Sequence, residues 1–465
     1  MSVAWALFVP PWQSPDETQH FAYLQSLAER FELPGQAGRP RYSSEHRLAD
    51  RLSKTGHEAR LPGAEWSVRA FQDWKREDAA LMPADRRNGG GRNPASANPP
   101  LYYLWESIPY ELAGGDIFNR LYVGRLWSAV WLLVGTLATW LLAGELFGRV
   151  RSLQLGAAAF VGFQPMVTFI SASINPDSQL IALWTLALWL GARLIRRGLT
   201  LPGAVAFMGV VGLGVLTKAT SYALLPAALC VLALGVWRLR RTASLRSATA
   251  LAVAAVLAFA VPAGGWVITA RALHRPAVNQ VLGGKAGAHK PPFNPRGFAS
   301  YVRQFYLPLP GLGRNIYPTT VPLYSVWFKG AWGTFGWRQL QLPPGVFFVL
   351  LAGCLVTLAG AALAFVRHTV RRDWALWAFF AIALVTLVAL LHVTEYRVVF
   401  LARERGPFTQ GRYLLPLVSL GGLAVSAALS VLSGRQRLYA LGGLLGGLVV
   451  LQVVCFVTLA RWFYA

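Results

Sequence analysis

Two acids and a histidine sit within one helical turn near the start of the chain: Pro15-Asp16-Glu17, then His20. Another acid, Asp177, closes the polar run Asn175-Pro176-Asp177 between two apolar stretches. Three cations stand at comparable places: Arg125, Lys218 within VGLGVLTKATSYALLP, and Arg412 within TQGRYLLPL. Ionisable groups beside apolar runs are costly unless they face a cavity or a partner. Any one of these cations reads equally well as an interfacial side chain reaching for water. Taken together, they read as carboxylates beside a place that holds an anion. Acids are scarce here, 20 Asp and Glu against 44 Lys and Arg, so a pair of them in one motif needs a cause.

The elements that must position these groups are membrane spans. The 465 residues are 55% hydrophobic and 14% charged, which excludes a disordered chain or an ordinary soluble domain. Runs such as LWSAVWLLVGTLATWLLAGELF (126–147) and LGGLLGGLVVLQVVCFVTLA (441–460) exceed the ~20 residues needed to cross a bilayer as a helix. The expected class is an all-α, polytopic membrane protein. Spans are expected near 122–147, 152–173, 178–195, 199–216, 219–238, 247–270, 344–366, 374–394, 413–433 and 438–460. The net charge of +24 is no sign of nucleic-acid binding, because the charges lie between spans. Cys230, Cys354 and Cys455 all fall in apolar runs and read as small buried hydrophobes.

Arginine clusters at 149–151, 193–197, 238–246, 367–372 and 435–437 occupy every second loop, as the positive-inside rule requires of cytoplasmic loops. The remaining segments then face outward, above all 11–121 and 271–343. The C-terminal spans occupy 344–465, and the central ones 122–270. The apolar start, MSVAWALFVPP, is too short to span and reads as the outer half (1–10) of a first helix from a shortened start. The Gly/Arg-rich piece RRNGGGRNPASAN (86–98) is expected to be mobile. RGFASYVRQFY (296–306) is expected as an interfacial helix.

Locally, Ser14-Pro15-Asp16-Glu17 looks like a helix start with Ser14 as cap and Glu17 completing a capping box. That leaves Asp16 free, on a face shared with His20 and Tyr23. A hydrogen-bonded packing role for His20 is as good a reading as a functional one.

Five segments, PPWQSPDETQHF, ANPPLYYLWES, FQPMVTFISASINPDSQLIAL, GLGVLTKATSYALLPAAL and TQGRYLLPL, occur in that order. They resemble a bacterial membrane family marked by PDExxHF and QGRYLLP motifs (DUF2142-like). That family in turn resembles the GT-C glycosyltransferases, such as the protein O-mannosyltransferases and the lipid A aminoarabinose transferases. The resemblance spans nearly the whole chain. One departure is His20, where the transferases usually carry Arg-Tyr after the acidic pair. The resemblance implies a GT-C-like bundle of about 10–11 spanning helices with an extracytoplasmic cap of short helices. It also implies transfer of a sugar from a polyprenyl phosphate to an extracytoplasmic glycan, lipid or protein at the cytoplasmic (inner) membrane.

In that setting Asp16 would be the general base and Asp177 its partner. Arg125, Lys218 and Arg412 would bind the donor phosphate. Glu17, His20, Asn98, Pro100, Tyr102 and Tyr103 would shape the donor and acceptor sides, although interfacial anchoring is the commoner role of such tyrosines. A divalent cation could sit between Asp16, Glu17 and Asp177; a metal-free site is the favoured reading, since the leaving phosphate already has three cations. Two rivals remain at this stage: a transporter or flippase for lipid-linked saccharides, and a non-catalytic assembly partner.

Overall fold

Helix α1 (Ser2–Phe8) stops before Pro10 and Pro11, which cannot donate to a helical ladder. A cap follows, built from α2 (Glu17–Arg30), α3 (Ser44–Ser53), α4 (Val68–Asp78), α5 (Pro83–Arg87) and α6 (Leu101–Ala113). Its own core includes Trp12, Phe21, Leu24, Trp74, Tyr102 and Tyr110, and it seats on Phe118, Leu121 and Ile174 at one end of the bundle. The computed structural model describes residues 1–53, 67–241, 244–274, 292–309, 321–367, 373–397 and 409–464.

The bundle begins with α7 (Ile117–Phe147), whose start is capped by the Asp116 carboxylate accepting from the Asn119 amide at 2.8 Å. Its 31 residues run ~46 Å. Helices α8 (Arg151–Phe163) and α9 (Pro165–Ser171) bend by 59° at Gln164. Pro165 lacks the N–H that would continue the ladder, and the Gln164 side chain instead caps Val167 N–H at 2.6 Å. Helices α10 (Asp177–Arg197), α11 (Leu201–Thr217), α12 (Leu225–Leu239) and α13 (Leu245–Ala272) complete the first half. Then come α14 (Pro295–Tyr306), a π-helical turn (Leu323–Phe328), α15 (Lys329–Trp332) and a two-stranded hairpin, β1 (Thr334–Phe335) with β2 (Leu340–Gln341). Last are α16 (Pro344–Val366), α17 (Trp374–Glu395), α18 (Val418–Ser430) and α19 (Gly434–Phe463).

Among the described residues, eight helices are long and apolar enough to cross a membrane, or nine with the α8–α9 pair. The ten expected spans are thus refined. The 152–173 span is a bent pair, and α11 has only 17 residues. The spans near 219 and 413 open with 3₁₀ turns, Ala219–Leu224 and Gly411–Leu417. At one end of the bundle, Arg196 pairs with Asp373 at 2.6 Å and Arg197 with Glu145 at 2.6 Å. Asp177 lies at the opposite end of α10, 21 residues or ~30 Å away.

One local expectation changes. The 86–98 piece is packed, not loose. Gly35 N–H donates to Gly90 and Gly91 N–H to Pro40, both at 2.8 Å. A Cβ on Gly91 would sit 2.1 Å from the Arg39 carbonyl, so these chains cross at backbone contact. The glycines that make the segment look flexible are what let it pack. Helix α14 forms as expected, with its aromatic face turned onto α17: Tyr301 and Tyr306 hydroxyls each lie 2.9 Å from a ring nitrogen of His392.

Candidate active site

Two turns build the site. Asp16 adopts φ +61°, a left-handed conformation that Asp tolerates better than most residues. Its carbonyl accepts from Gln19 and His20 amides at 3.0 Å, so α2 starts at Glu17 with Asp16 as cap. The Asn175-Pro176-Asp177 turn is tied to it: Asn175 Nδ2 donates to the Pro15 carbonyl at 3.1 Å, and the Ile174 amide to Glu17 Oε1 at 3.2 Å.

The expected capping box does not form. Ser14 Oγ is buried without a partner among the described residues, and Glu17 turns inward to Arg125. Both side chains are wholly buried. Arg125 Nε donates to Oε1 at 2.8 Å and Nη2 to Oε2 at 2.5 Å. Its other N–H groups go to the carbonyls of Ala6 (3.1 Å), Val9 (2.6 Å) and Pro10 (3.0 Å). A guanidinium has five N–H donors, so Arg125 has none left for a phosphate. It clamps the first segment to α7; its expected phosphate-binding role is corrected.

Asp16, Asp177, Lys218 and Arg412 converge. Arg412 Nη2 donates to Asp16 Oδ2 at 2.5 Å, and Lys218 Nζ to Asp177 Oδ1 at 2.5 Å. Tyr413 lies between the two cations, its ring 5.3 Å from each. The pairs are not closed on themselves. Arg412 Nε and Nη1 are buried with no acceptor among the described residues, and Asp177 Oδ2 is buried with no donor. Buried polar groups of this kind are normally satisfied, so these three atoms have hydrogen-bonding capacity left over among the described residues. Asp16 is the accessible acid, its side chain 35% exposed. Burial works against its charge, but Arg412, with His20 and Lys218 further off, holds its pKa below the ordinary value.

His20 Nδ1 lies 2.8 Å from the Tyr103 hydroxyl, which accepts from Asn98 Nδ2 at 3.0 Å. Tyr103 stacks on Tyr23 at 3.6 Å, and Tyr23 O–H donates to the Asn98 carbonyl. Burial pulls the His20 pKa to about 4 against the pull of Asp16, so the ring is neutral at physiological pH. Tyr102 supports the other turn: its hydroxyl accepts from Asn175 N–H at 2.7 Å and lies 2.7 Å from Ser128 Oγ, which donates to Glu106 at 2.6 Å. Pro100 caps α6, which carries both tyrosines. Burial raises the Glu106 pKa to about 8. Tyr23, Glu106, Ser128 and Tyr413 are site residues that sequence reasoning did not assign; Tyr413 could have been found from its place inside QGRYLLP.

Arg412 is aimed by the backbone before it. A Cβ on Gly411 would lie 2.4 Å from both the Trp327 carbonyl oxygen and the Ala331 amide nitrogen. The motif therefore lies directly on the π-helical turn, an irregularity frequent at functional sites. The β1–β2 hairpin closes this side, Trp337 Nε1 donating to the Trp12 carbonyl at 3.0 Å. A cavity of about 80 Å³ lies between Pro15, Met166, Thr334, Arg338, Gln410 and Arg412.

Every residue of this site falls in a segment, residues 1–420, that matches the DUF2142 family of predicted membrane proteins. The chain belongs to the DUF2142 family. A comparison with curated proteins returns no match. Among solved structures, this DUF2142 chain resembles ArnT from Cupriavidus metallidurans in the apo state. The TM-score is 0.52 at 15% identity, over 97% of this chain and 60% of that one. The same protein bound to undecaprenyl phosphate aligns at TM-score 0.46 and 16% identity, over 97% and 62%. The likeness is one of fold, a GT-C membrane bundle, and the DUF2142 chain spans about 60% of the ArnT chain.

With Glu17 committed to Arg125, the three acids do not meet at one point. Among the described residues no group of three or more His, Cys, Asp or Glu is set to hold a metal ion.

Proposed function

We propose that this protein is a membrane glycosyltransferase that moves a sugar from a polyprenyl phosphate to an acceptor hydroxyl or amine. The observation that carries this reading is the pair of buried Arg412 donors, without an acceptor among the described residues, beside the exposed face of Asp16. An anion acceptor and a proton acceptor are there side by side. A flippase needs the first and has no use for the second.

In this reading Arg412 Nε and Nη1, with Lys218, hold the donor phosphate. The bond between the anomeric carbon and the phosphate oxygen breaks, and the electron pair leaves with the phosphate, whose charge the two cations stabilise. The acceptor oxygen or nitrogen bonds to the same carbon and gives its proton to Asp16. A phosphate that draws on Arg412 weakens the Arg412–Asp16 pair, which raises the carboxylate pKa and makes it a better base. Asp177 Oδ2 accepts from a donor or acceptor hydroxyl, and His20 and the Tyr103 edge shape the sugar pocket. The arginine-rich end of the bundle faces the cytoplasm under the positive-inside rule, so the site opens on the outer side. The cations supply what a metal would supply to a leaving monophosphate, and the reaction proceeds without one.

The reading is tested by incubating purified protein with a panel of radiolabelled polyprenyl-phosphate sugars. Consumption of one donor with release of polyprenyl phosphate is expected, insensitive to chelator. No consumption of any donor in the presence of cell-envelope acceptors refutes it.

A further inference from the structure

The remote end of α2 carries a second charged surface that the transferase chemistry does not use. Here segments 35–42 and 86–92 cross at the glycine contacts already described. The crossing is locked: Arg30 Nη1 donates to the Gly89 carbonyl at 3.0 Å, and Ser44 N–H to Asn88 Oδ1 at 2.8 Å. A Cβ on Gly89 would lie 2.6 Å from the Ser43 amide. Five arginines on this platform are exposed: Arg39, Arg41, Arg47, Arg87 and Arg92.

Their charge is poorly answered. Glu29 lies 3.5 Å from Arg87. Glu32 lies 3.0 Å from Arg30 and 3.9 Å from Arg39. Glu45 is wholly buried, facing Arg86 and Arg120. Among the described residues no acid lies within ion-pair distance of Arg41, Arg47 or Arg92. An arginine surface on rigid backbone is suited to anionic groups that recur along a chain, since each guanidinium can hold a carboxylate or phosphate in two-pronged fashion. The Arg30 end of α2 packs on other cap segments. Helix α2 joins this surface to Asp16 at its other end, 14 residues or ~20 Å away.

We propose that this arginine platform docks a polyanionic glycan, one bearing carboxylate or phosphate groups along its length, and feeds its end toward Asp16. Delivery of the glycan end to Asp16 as acceptor rests on the transferase reading, but binding to the platform does not depend on turnover.

The test uses the full chain in nanodiscs of zwitterionic lipid. Binding of polygalacturonate, polyphosphate and neutral dextran is measured at low and high salt. One charged polymer should bind, weaken at least tenfold at high salt, and dextran should not bind. Substituting Arg41→Ser, Arg47→Ser and Arg92→Ser together should weaken that binding at least tenfold with the melting temperature unchanged. Lys at the same three positions should keep the salt-dependent attraction and bind between wild type and the triple Ser variant, since an ammonium lacks the two-pronged grip. Binding of neither polymer, or equal binding by the triple Ser variant, overturns the proposal. So does arginine-dependent binding to phosphatidylglycerol nanodiscs with none to either polymer, which would assign the surface to lipid. A polymer that binds through the arginines and is never glycosylated supports the platform while counting against the transferase.

Discussion

Glu17→Gln should destabilise the whole molecule, although Gln would serve equally well in a capping box. The reason is Arg125. Two of its five N–H groups go to the Glu17 carboxylate, at 2.8 and 2.5 Å, and both side chains are fully buried. Gln keeps one acceptor oxygen and sets an NH₂ where the other was, opposing donor to donor. It also leaves the guanidinium charge without a counter-ion. Breaking one side of a buried pair costs about 3–5 kcal/mol. For a chain this long, that corresponds to a fall in melting temperature on the order of 5 °C. The assay is thermal unfolding of purified protein followed by tryptophan fluorescence. The double variant Glu17→Gln/Arg125→Met removes the stranded charge and should recover part of the loss. Asp16→Asn, on the partly exposed side chain of the other pair, should shift the melting temperature far less. A Glu17→Gln protein that melts within a degree of wild type would refute the clamp.

His20 should make stability depend on pH. Its pKa falls from 6.5 to about 4 on folding, so its contribution is complete above pH 6.5 and is lost as pH drops toward 4, by roughly 3 kcal/mol in all. Glu106, raised to about 8, acts in the opposite sense from pH 4.5 upward, so the comparison must be wild type against His20→Gln, whose stability should rise less, or fall more, than that of wild type as pH goes from 4 to 6.5. Gly411→Ala should cost about 1–3 kcal/mol by overpacking and, on the proposed transferase reading, weaken polyprenyl phosphate binding by misaiming Arg412; unchanged binding and melting temperature would contradict the backbone contact. Arg412→Met should weaken binding of that lipid phosphate about tenfold or more, whereas equal affinity would remove Arg412 from the donor site.

The spans and the charged residues at their mouths were legible because a lone Lys218 or Arg412 in an apolar run is conspicuous. Asp16 and Asp177 could be read as partners for the same reason. The role of Glu17 was not legible. A carboxylate at that position satisfies local capping rules, and only the three-dimensional return of α1 and α7 reveals Arg125 and the carbonyls of Ala6, Val9 and Pro10 around it. Glu106 and Ser128 were missed because each looks like an ordinary helical residue until α6 and α7 face one another. The glycine-rich crossing reads as mobile in the sequence because composition reports how freely a chain can bend, and not what it touches.

The most direct test of the proposed role of Asp16 as the base is the turnover of Asp16→Asn with a donor that the wild type consumes, measured beside its affinity for the matching polyprenyl phosphate. Asn cannot take a proton at neutral pH, so turnover should fall by about a hundred- to ten-thousand-fold. Affinity should hold or rise, because Arg412 loses its competing carboxylate. Turnover near the wild-type rate, with donor bound, would contradict the assignment and shift the base to Asp177.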